Sequence, residues 1–295
     1  GGILGAYFAR AQIADRTRSS YEGKARHLVR YFGAEAPLEK ITRREVDAFR
    51  DQRLSEGASR HTVHKELVVL RQAMRLANAD GVLAGDARSI VAPIAVGYVP
   101  VDRWLSFDQG RAMLDYIPKH RHAWFALACW GGLRFGEVEK LEWRDVDRMT
   151  GLIHVRGTKT KKSDRFVPIG DALAFLLPPD GKPTDRVAAR WTGVHKALCT
   201  AYQRVLGIAP NRGGRAKGGA YNRAPARKLP RLSPNDLRRT CCTWLLLGGV
   251  EPWEVARILG HSSTTMVYRV YAQITAGQIT AAGAKLPTLK KADAK

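Results

Sequence analysis

Acidic residues are scarce in this chain: 27 Asp and Glu stand against 49 Lys and Arg, leaving a formal net charge of +22. That excess is far beyond what solubility requires, and it points to a polyanionic partner, most simply nucleic acid. An anionic membrane surface would also attract such a chain. No basic amphipathic helix with a broad aromatic face stands out, so that option takes second place. Cysteine is rare as well, limited to Cys129, Cys199, Cys241 and Cys242. None has the paired spacing of a zinc site, and the adjacent Cys241 and Cys242 sit inside an apolar run. Core filling, a reducing compartment and the absence of any metal or other cofactor are the expectation. Long hydrophobic runs are missing: no stretch of about 18 apolar residues could span a bilayer, and no signal-peptide pattern opens the chain. A cytoplasmic, soluble protein with no membrane partner is expected. Apolar residues as a class are not short, however. At 45% of 295 residues they suffice for the cores of two ordinary domains.

The first part reads as helices joined by short polar turns. Thr17 is placed to cap a helix carrying Tyr21, Leu28 and Phe32, and Thr42 with Glu45 forms a capping box ahead of Val46 and Phe49. From Ser59 onward Val63, Leu67, Leu70, Met74 and Ala77 recur at three- and four-residue intervals, with Arg60, Lys65, Arg71 and Arg75 on other faces. A small helical bundle with a basic exterior over residues 1–90 follows. Residues 91–103, with Pro93, Gly97 and Pro100, have neither period nor caps and read as a linker.

The second unit spans residues 104–275. Ser106 opens a helix, a nearly all-apolar helix runs through Trp124 to Trp130, Gly131 and Gly132 break it, and Leu133 to Trp143 is expected to resume as helix. Leu152 to Arg156 and Arg165 to Ile169 are β-prone runs around a Lys-rich turn, a hairpin whose second strand lies at an edge because of Pro168. A helix is expected around Val194 to Leu206. Asn211 to Arg231 then holds seven basic residues and no acidic one, a stretch too charged to fold except against phosphate. Ser233-Pro-Asn-Asp236 starts the next helix, and Pro252 to Leu259 forms another that stops at Gly260. A last helix carries Tyr268 and Tyr271, and residues 276–295 weaken into a tail. The fold class is therefore mainly α with a small β-sheet.

Cutting a phosphodiester without metal needs fixed positive donors for the non-bridging oxygens, a nucleophile held in line, and a proton for the departing oxygen. Arg134, which precedes Glu137 by one helical turn, and Arg238, near the positive end of the Ser233-capped helix, suit the first task. The arginine fork grips two phosphate oxygens and stays charged. Taken alone, Arg134 and Glu137 would be an ordinary surface pair. Lys159 in the hairpin turn is a flexible proton donor, and Lys161 and Lys162 compete for that role. His261 can donate to phosphate from either ring nitrogen. A tyrosine phenol has a pKa of about 10, so it needs neighbouring cations to act as nucleophile. Tyr271 and Tyr268, one turn apart, are both candidates.

The order of these pieces is informative. Leu133-Arg134-Phe-Gly-Glu137, a Lys-bearing hairpin, Asp236-Leu-Arg238, Leu259-Gly-His261-Ser-Ser263 and Val270-Tyr271-Ala272 together resemble the signature of the tyrosine recombinase (phage integrase) family. The resemblance covers nearly the whole chain. It implies a helical N-terminal core-DNA-binding domain, an α+β catalytic domain, and a C-terminal tail exchanged between protomers. Arg134 and Arg238 resemble the phosphate-clamping arginines, Lys159 the general acid, His261 the later histidine, Glu137 the supporting acid and Tyr271 the nucleophile. Tyr271 is preferred to Tyr268 because Tyr-Ala-Gln resembles the endings common there. The implied activity is site-specific recombination or integration through a 3′-phosphotyrosine, without cofactor. The implied partners are duplex DNA, a homotetramer on synapsed DNA, and an accessory DNA-bending or directionality protein, in a bacterial or phage-encoded, nucleoid-associated setting. Arg60, Lys65, Arg71, Lys161, Lys162, Arg212, Arg215, Lys217 and Arg239 are expected to contact DNA. Two positions depart from the pattern. Asn235 stands where His or Lys is usual and cannot exchange a proton at neutral pH, and Arg239 stands where His often follows the arginine. A type IB topoisomerase-like relaxing enzyme and a non-catalytic DNA-binding relative remain as alternatives.

Overall fold

The computed structural model describes residues 2–37, 40–83, 85–97, 103–157, 164–208, 229–261 and 263–270. The chain divides into two compact units, Gly1–Val99 and Pro100–Lys295. No helix among the described residues is long and apolar enough to cross a membrane.

The first unit holds α1 (Ile3–Arg10), α2 (Asp15–Phe32), α3 (Arg43–Ser55), α4 (Arg60–Ala79) and the short α5 (Ala87–Ile90). The three- and four-residue recurrence along α4 puts Val63, Leu67, Leu70 and Met74 against Leu28, Val46 and Phe49, all of them buried. Ser59 caps α4 by accepting from the Thr62 amide, and Thr42 caps α3 by accepting from Glu45 N–H. Thr17, in contrast, lies inside α2. That helix starts at Asp15, whose carboxylate suits the positive end of the helix. Arg53 and the fully buried Glu66 join α3 to α4 through two 3.0 Å hydrogen bonds. The expected linker begins bound: Val91 is fully buried, and its carbonyl accepts from Arg71 Nε at 2.8 Å.

In the second unit α6 (Phe107–Tyr116) and α7 (His122–Cys129) are followed by α8 (Phe135–Val138), β1 (Val146–Asp147), β2 (Leu152–Val155) and β3 (Arg165–Pro168). Then come α9 (Asp171–Leu176), α10 (Val194–Val205), α11 (Pro234–Leu247), α12 (Pro252–Leu259) and a helical stretch at 265–270. Every residue of α7 from Ala123 to Cys129 is buried, which explains its lack of a polar stripe. The sheet is antiparallel in the order β1-β2-β3, and Pro168 sits on the outer strand, where a missing donor is tolerated. The helix expected from Leu133 to Trp143 is confined to α8. Beyond it the backbone pairs with residues 183–187 instead: Trp143 N–H donates to Asp185 O and Val187 N–H to Leu141 O. Strand β1 and helix α9 were not foreseen, being too short for a periodic signal.

The break between α7 and α8 places the site. Gly132 is left-handed, with φ +64°, and a Cβ there would come within 2.4 Å of Leu259 Cδ2 and 3.0 Å of Cys241 Sγ. Its bare Cα lets the loop carrying Arg134 press against α11 and α12. Gly132→Ala should therefore cost roughly 2–4 kcal/mol, combining the left-handed penalty with overpacking. Gly249→Ala, at φ +86° but with nothing within 4 Å, should cost only about 1 kcal/mol. Urea unfolding of the two variants checks the difference.

Candidate active site

The last carbonyls of a helix have no partner within it, and they carry the negative end of its dipole. At the end of α12, which Pro252 opens and left-handed Gly260 closes, the last two helical carbonyls and that of the capping glycine accept from three different arginines. Arg165 Nε donates to Ile258 O at 2.8 Å, Arg238 Nη2 donates to Leu259 O, and Arg134 Nη2 donates to Gly260 O at 3.0 Å. Arg238 also donates to Gly132 O at 2.6 Å.

The same three guanidiniums surround one carboxylate. Arg134 N-caps α8, and its amide and Nη1 each lie 2.7 Å from a Glu137 oxygen. Arg165 grips both Glu137 oxygens, at 3.1 and 2.8 Å, and Arg238 Nη1 lies 4.0 Å from Oε2. Burial alone would raise the Glu137 pKa. The bonds and charges of Arg165, then of Arg134, outweigh it and hold the carboxyl down at about 2. Burial, then the Arg134 and Arg165 charges, push Arg238 down to about 9, which still leaves it cationic at neutral pH. Three guanidiniums against one carboxylate leave an excess of two positive charges, a ready seat for a dianion or a phosphodiester flanked by other anions.

Sequence reasoning brought Arg134, Glu137 and Arg238 together but missed Arg165. A signal existed: in β3 the period-2 alternation puts Arg165 on the same buried face as Val167, with Phe166 and Pro168 exposed. An arginine on the core face of a strand needs a partner.

His261 follows Gly260, and its amide donates to Ala256 O at 2.9 Å. Its Nδ1 is buried with no hydrogen-bond partner among the described residues. Burial, then Arg238, Arg134 and Arg165, lower its pKa to about 4, so the ring is neutral through the physiological range. Asn235 is exposed in the first turn of α11, one turn before Arg238. That turn is locked by a capping box in which Ser233 N–H and Oγ donate to Asp236 Oδ2 at 2.9 and 2.7 Å. Arg239 donates to Asp236 Oδ1 at 2.8 Å. Arg60 and Lys65 are exposed on α4, whereas Arg71 is half-buried against Val91. Tyr268 is half-exposed. Tyr271, Lys159, Lys161, Lys162, Arg212, Arg215 and Lys217 lie outside the described residues. The stretch leading to Tyr271 is nevertheless anchored: Val267 is fully buried, and with Val270 it packs on the cluster of Cys241, Leu246, Val255 and Leu259.

Known proteins with the same pattern decide the family. Tyrosine recombinase XerC of Corynebacterium efficiens is 30% identical over 271 residues, covering 86% of this chain and 81% of that protein. The chain belongs to the tyrosine recombinase family. It is accordingly a site-specific recombinase, an enzyme that cuts and rejoins DNA. The phage integrase family model matches residues 211–278, which include Arg238 and His261. Prophage integrase IntR of Escherichia coli K12 is 27% identical over 73% of this chain and 58% of its own length. Two solved tyrosine recombinases share the fold. A lambda integrase (75–356) dimer bound to a COC′ core site has a TM-score of 0.67 at 20% identity, covering 91% of this chain and 93% of the other. The Tn1549 transposon integrase in complex with transposon right end DNA has a TM-score of 0.66 at 19% identity, covering 96% and 98%.

The lowered His261 pKa makes a stability claim. An imidazole at about 4 in the folded protein and about 6.5 unfolded disfavours folding once the unfolded chain takes up its proton. Stability should therefore decline as pH falls from about 6.5 towards 4, and less steeply in His261→Gln. Urea midpoints of both proteins across that window should diverge; parallel curves would show that the imidazole is not held neutral.

Proposed function

We propose that this tyrosine recombinase cuts duplex DNA with Tyr271. The phenol oxygen attacks the scissile phosphorus as its proton passes to water, the bond to the 5′ oxygen breaks, and the products are a 3′-phosphotyrosine and a free 5′-hydroxyl. Arg134 and Arg238 hold the non-bridging oxygens, His261 adds a neutral hydrogen-bond donor, and Lys159 protonates the departing 5′ oxygen. The ester conserves the bond energy, so attack by another strand's 5′-hydroxyl reseals the backbone with neither ATP nor metal. Asn235 supplies hydrogen bonds only, which leaves acid–base work to Lys159.

The observation that carries this reading is the convergence of Arg134 and Arg238, more than one hundred positions apart in the chain, within 4.0 Å of the Glu137 carboxylate and beside His261. Arg134 retains 41% side-chain exposure, so one face of the cluster is open to a ligand. Arg60 and Lys65 on α4 suit backbone contact by residues 1–90 as a core-DNA-binding domain, and Lys161, Lys162, Arg212, Arg215, Lys217 and Arg239 extend it across residues 104–275. Solved relatives with this fold include a lambda integrase tetramer bound to a Holliday junction. By analogy this chain works as a homotetramer on synapsed duplexes in the bacterial cytoplasm, exchanging residues 276–295 between protomers and served by an accessory bending or directionality protein.

Incubation with a nicked suicide duplex tests the chemistry. Wild type should accumulate a covalent protein–DNA adduct, Tyr271→Phe none, and Arg134→Ala about a hundredfold more slowly or worse. An adduct formed by Tyr271→Phe would remove Tyr271 from the mechanism, and relaxation of supercoiled DNA without exchanged products would favour a topoisomerase. Affinity for duplex should also fall steeply between about 50 and 200 mM salt as counterions are released; a flat response would place the binding face elsewhere.

A further inference from the structure

Arg165 lies outside the group of residues assigned above to substrate, yet all three nitrogens of its guanidinium are bound within the cluster. Its side chain is only 3% exposed, so DNA cannot reach it. Both of its terminal nitrogens bind Glu137, at 3.1 and 2.8 Å, and its Nε binds Ile258 O at 2.8 Å. Its aliphatic stem passes Gly260 so closely that a Cβ there would sit 2.7 Å from Arg165 Cδ and 3.2 Å from Nε. Gly260 is also left-handed, with φ +62°. Strand β3 thus delivers one guanidinium that fixes two things at once: the carboxylate on which Arg134 rests, and the turn from which His261 projects.

We propose that Arg165 is a positioning residue for strand cleavage, setting Arg134 through Glu137 and His261 through the Ile258–Gly260 turn without touching DNA. A lysine in its place keeps the charge but offers one compact ammonium where three directed N–H bonds are needed. The inference rests on the reading that Arg134 and His261 act on the scissile phosphate.

The test is single-turnover cleavage of the suicide duplex by full-length protein. Wild type and Tyr271→Phe come first: if wild type forms no adduct, the reading of the site fails, independently of Arg165. Given a wild-type adduct, Arg165→Lys should cleave about a hundredfold more slowly, the scale of loss expected when a reacting group is displaced by about 1 Å. Duplex affinity and the thermal midpoint should stay close to wild type. Because Arg165 acts in part through Arg134, adding Arg165→Lys to Arg134→Ala should slow cleavage by less than the product of the two single losses, the remainder coming through His261, whereas independent lesions would multiply. Cleavage by Arg165→Lys within about twofold of wild type overturns the proposal, as do losses that multiply in the double variant. If Arg165→Lys does not fold, Arg165→Gln replaces it, since it leaves Glu137 and Arg134 in place. Slow cleavage by that folded variant supports the proposal, and wild-type cleavage overturns it.

Discussion

A single carboxylate holds this site together. Three guanidiniums side by side, two of them buried, would repel one another and lose hydration with little in return. Glu137 offsets that cost because its two oxygens face Arg165 squarely, reach Arg134 at both backbone and side chain, and lie within 4.0 Å of Arg238. The neutralisation is deliberately incomplete. One negative charge among three positive ones leaves the cluster with two positive charges in excess.

The surroundings divide the labour among groups that look alike. Arg165 is shut inside, Arg238 is nearly so, and Arg134 has an open face, a gradient of exposure that follows from where β3, α11 and α8 approach α12. Burial first, and then the same three guanidiniums, keep the imidazole of His261 neutral. A neutral ring keeps one N–H to donate and adds no further charge to the cluster. Caps set these positions locally: the Ser233–Asp236 box directs α11 so that Arg238 emerges one turn later, and Gly132 permits the close approach of the preceding loop.

Much of this was legible in the amino-acid order. The α4 stripe, the Ser106 and Ser233 caps, the Pro252 start and the Gly260 stop each carry a strong local signal, because capping and periodicity act over a few residues. Arg134, Glu137 and Arg238 were found by motif order. Arg165 was not, since a hairpin next to a Lys-rich turn invites a solvent-facing reading and only the partnership with Glu137, 28 positions earlier, contradicts it. The overlong helix after Leu133 failed for a similar reason. Residues 141–143 are helix-compatible in isolation, but their backbone groups find partners in residues 183–187, a pairing that no local window contains. Thr17 illustrates a smaller error, a good capping residue passed over because Asp15 already suits the helix start.

The ladder of Ile258, Leu259 and Gly260 carbonyls, each assigned to its own arginine, makes the end of α12 a ruler. Successive helical carbonyls are separated by about 100° of rotation and 1.5 Å of rise, so inserting or deleting one residue between Pro252 and Leu259 would swing the Ile258 and Leu259 rungs, and the glycine turn that follows them, away from their guanidiniums. Length in that segment is therefore far less negotiable than composition. Side chains such as Trp253 and Arg257 are exposed and hold none of the three guanidiniums, whereas the count of residues between them and the glycine sets every acceptor.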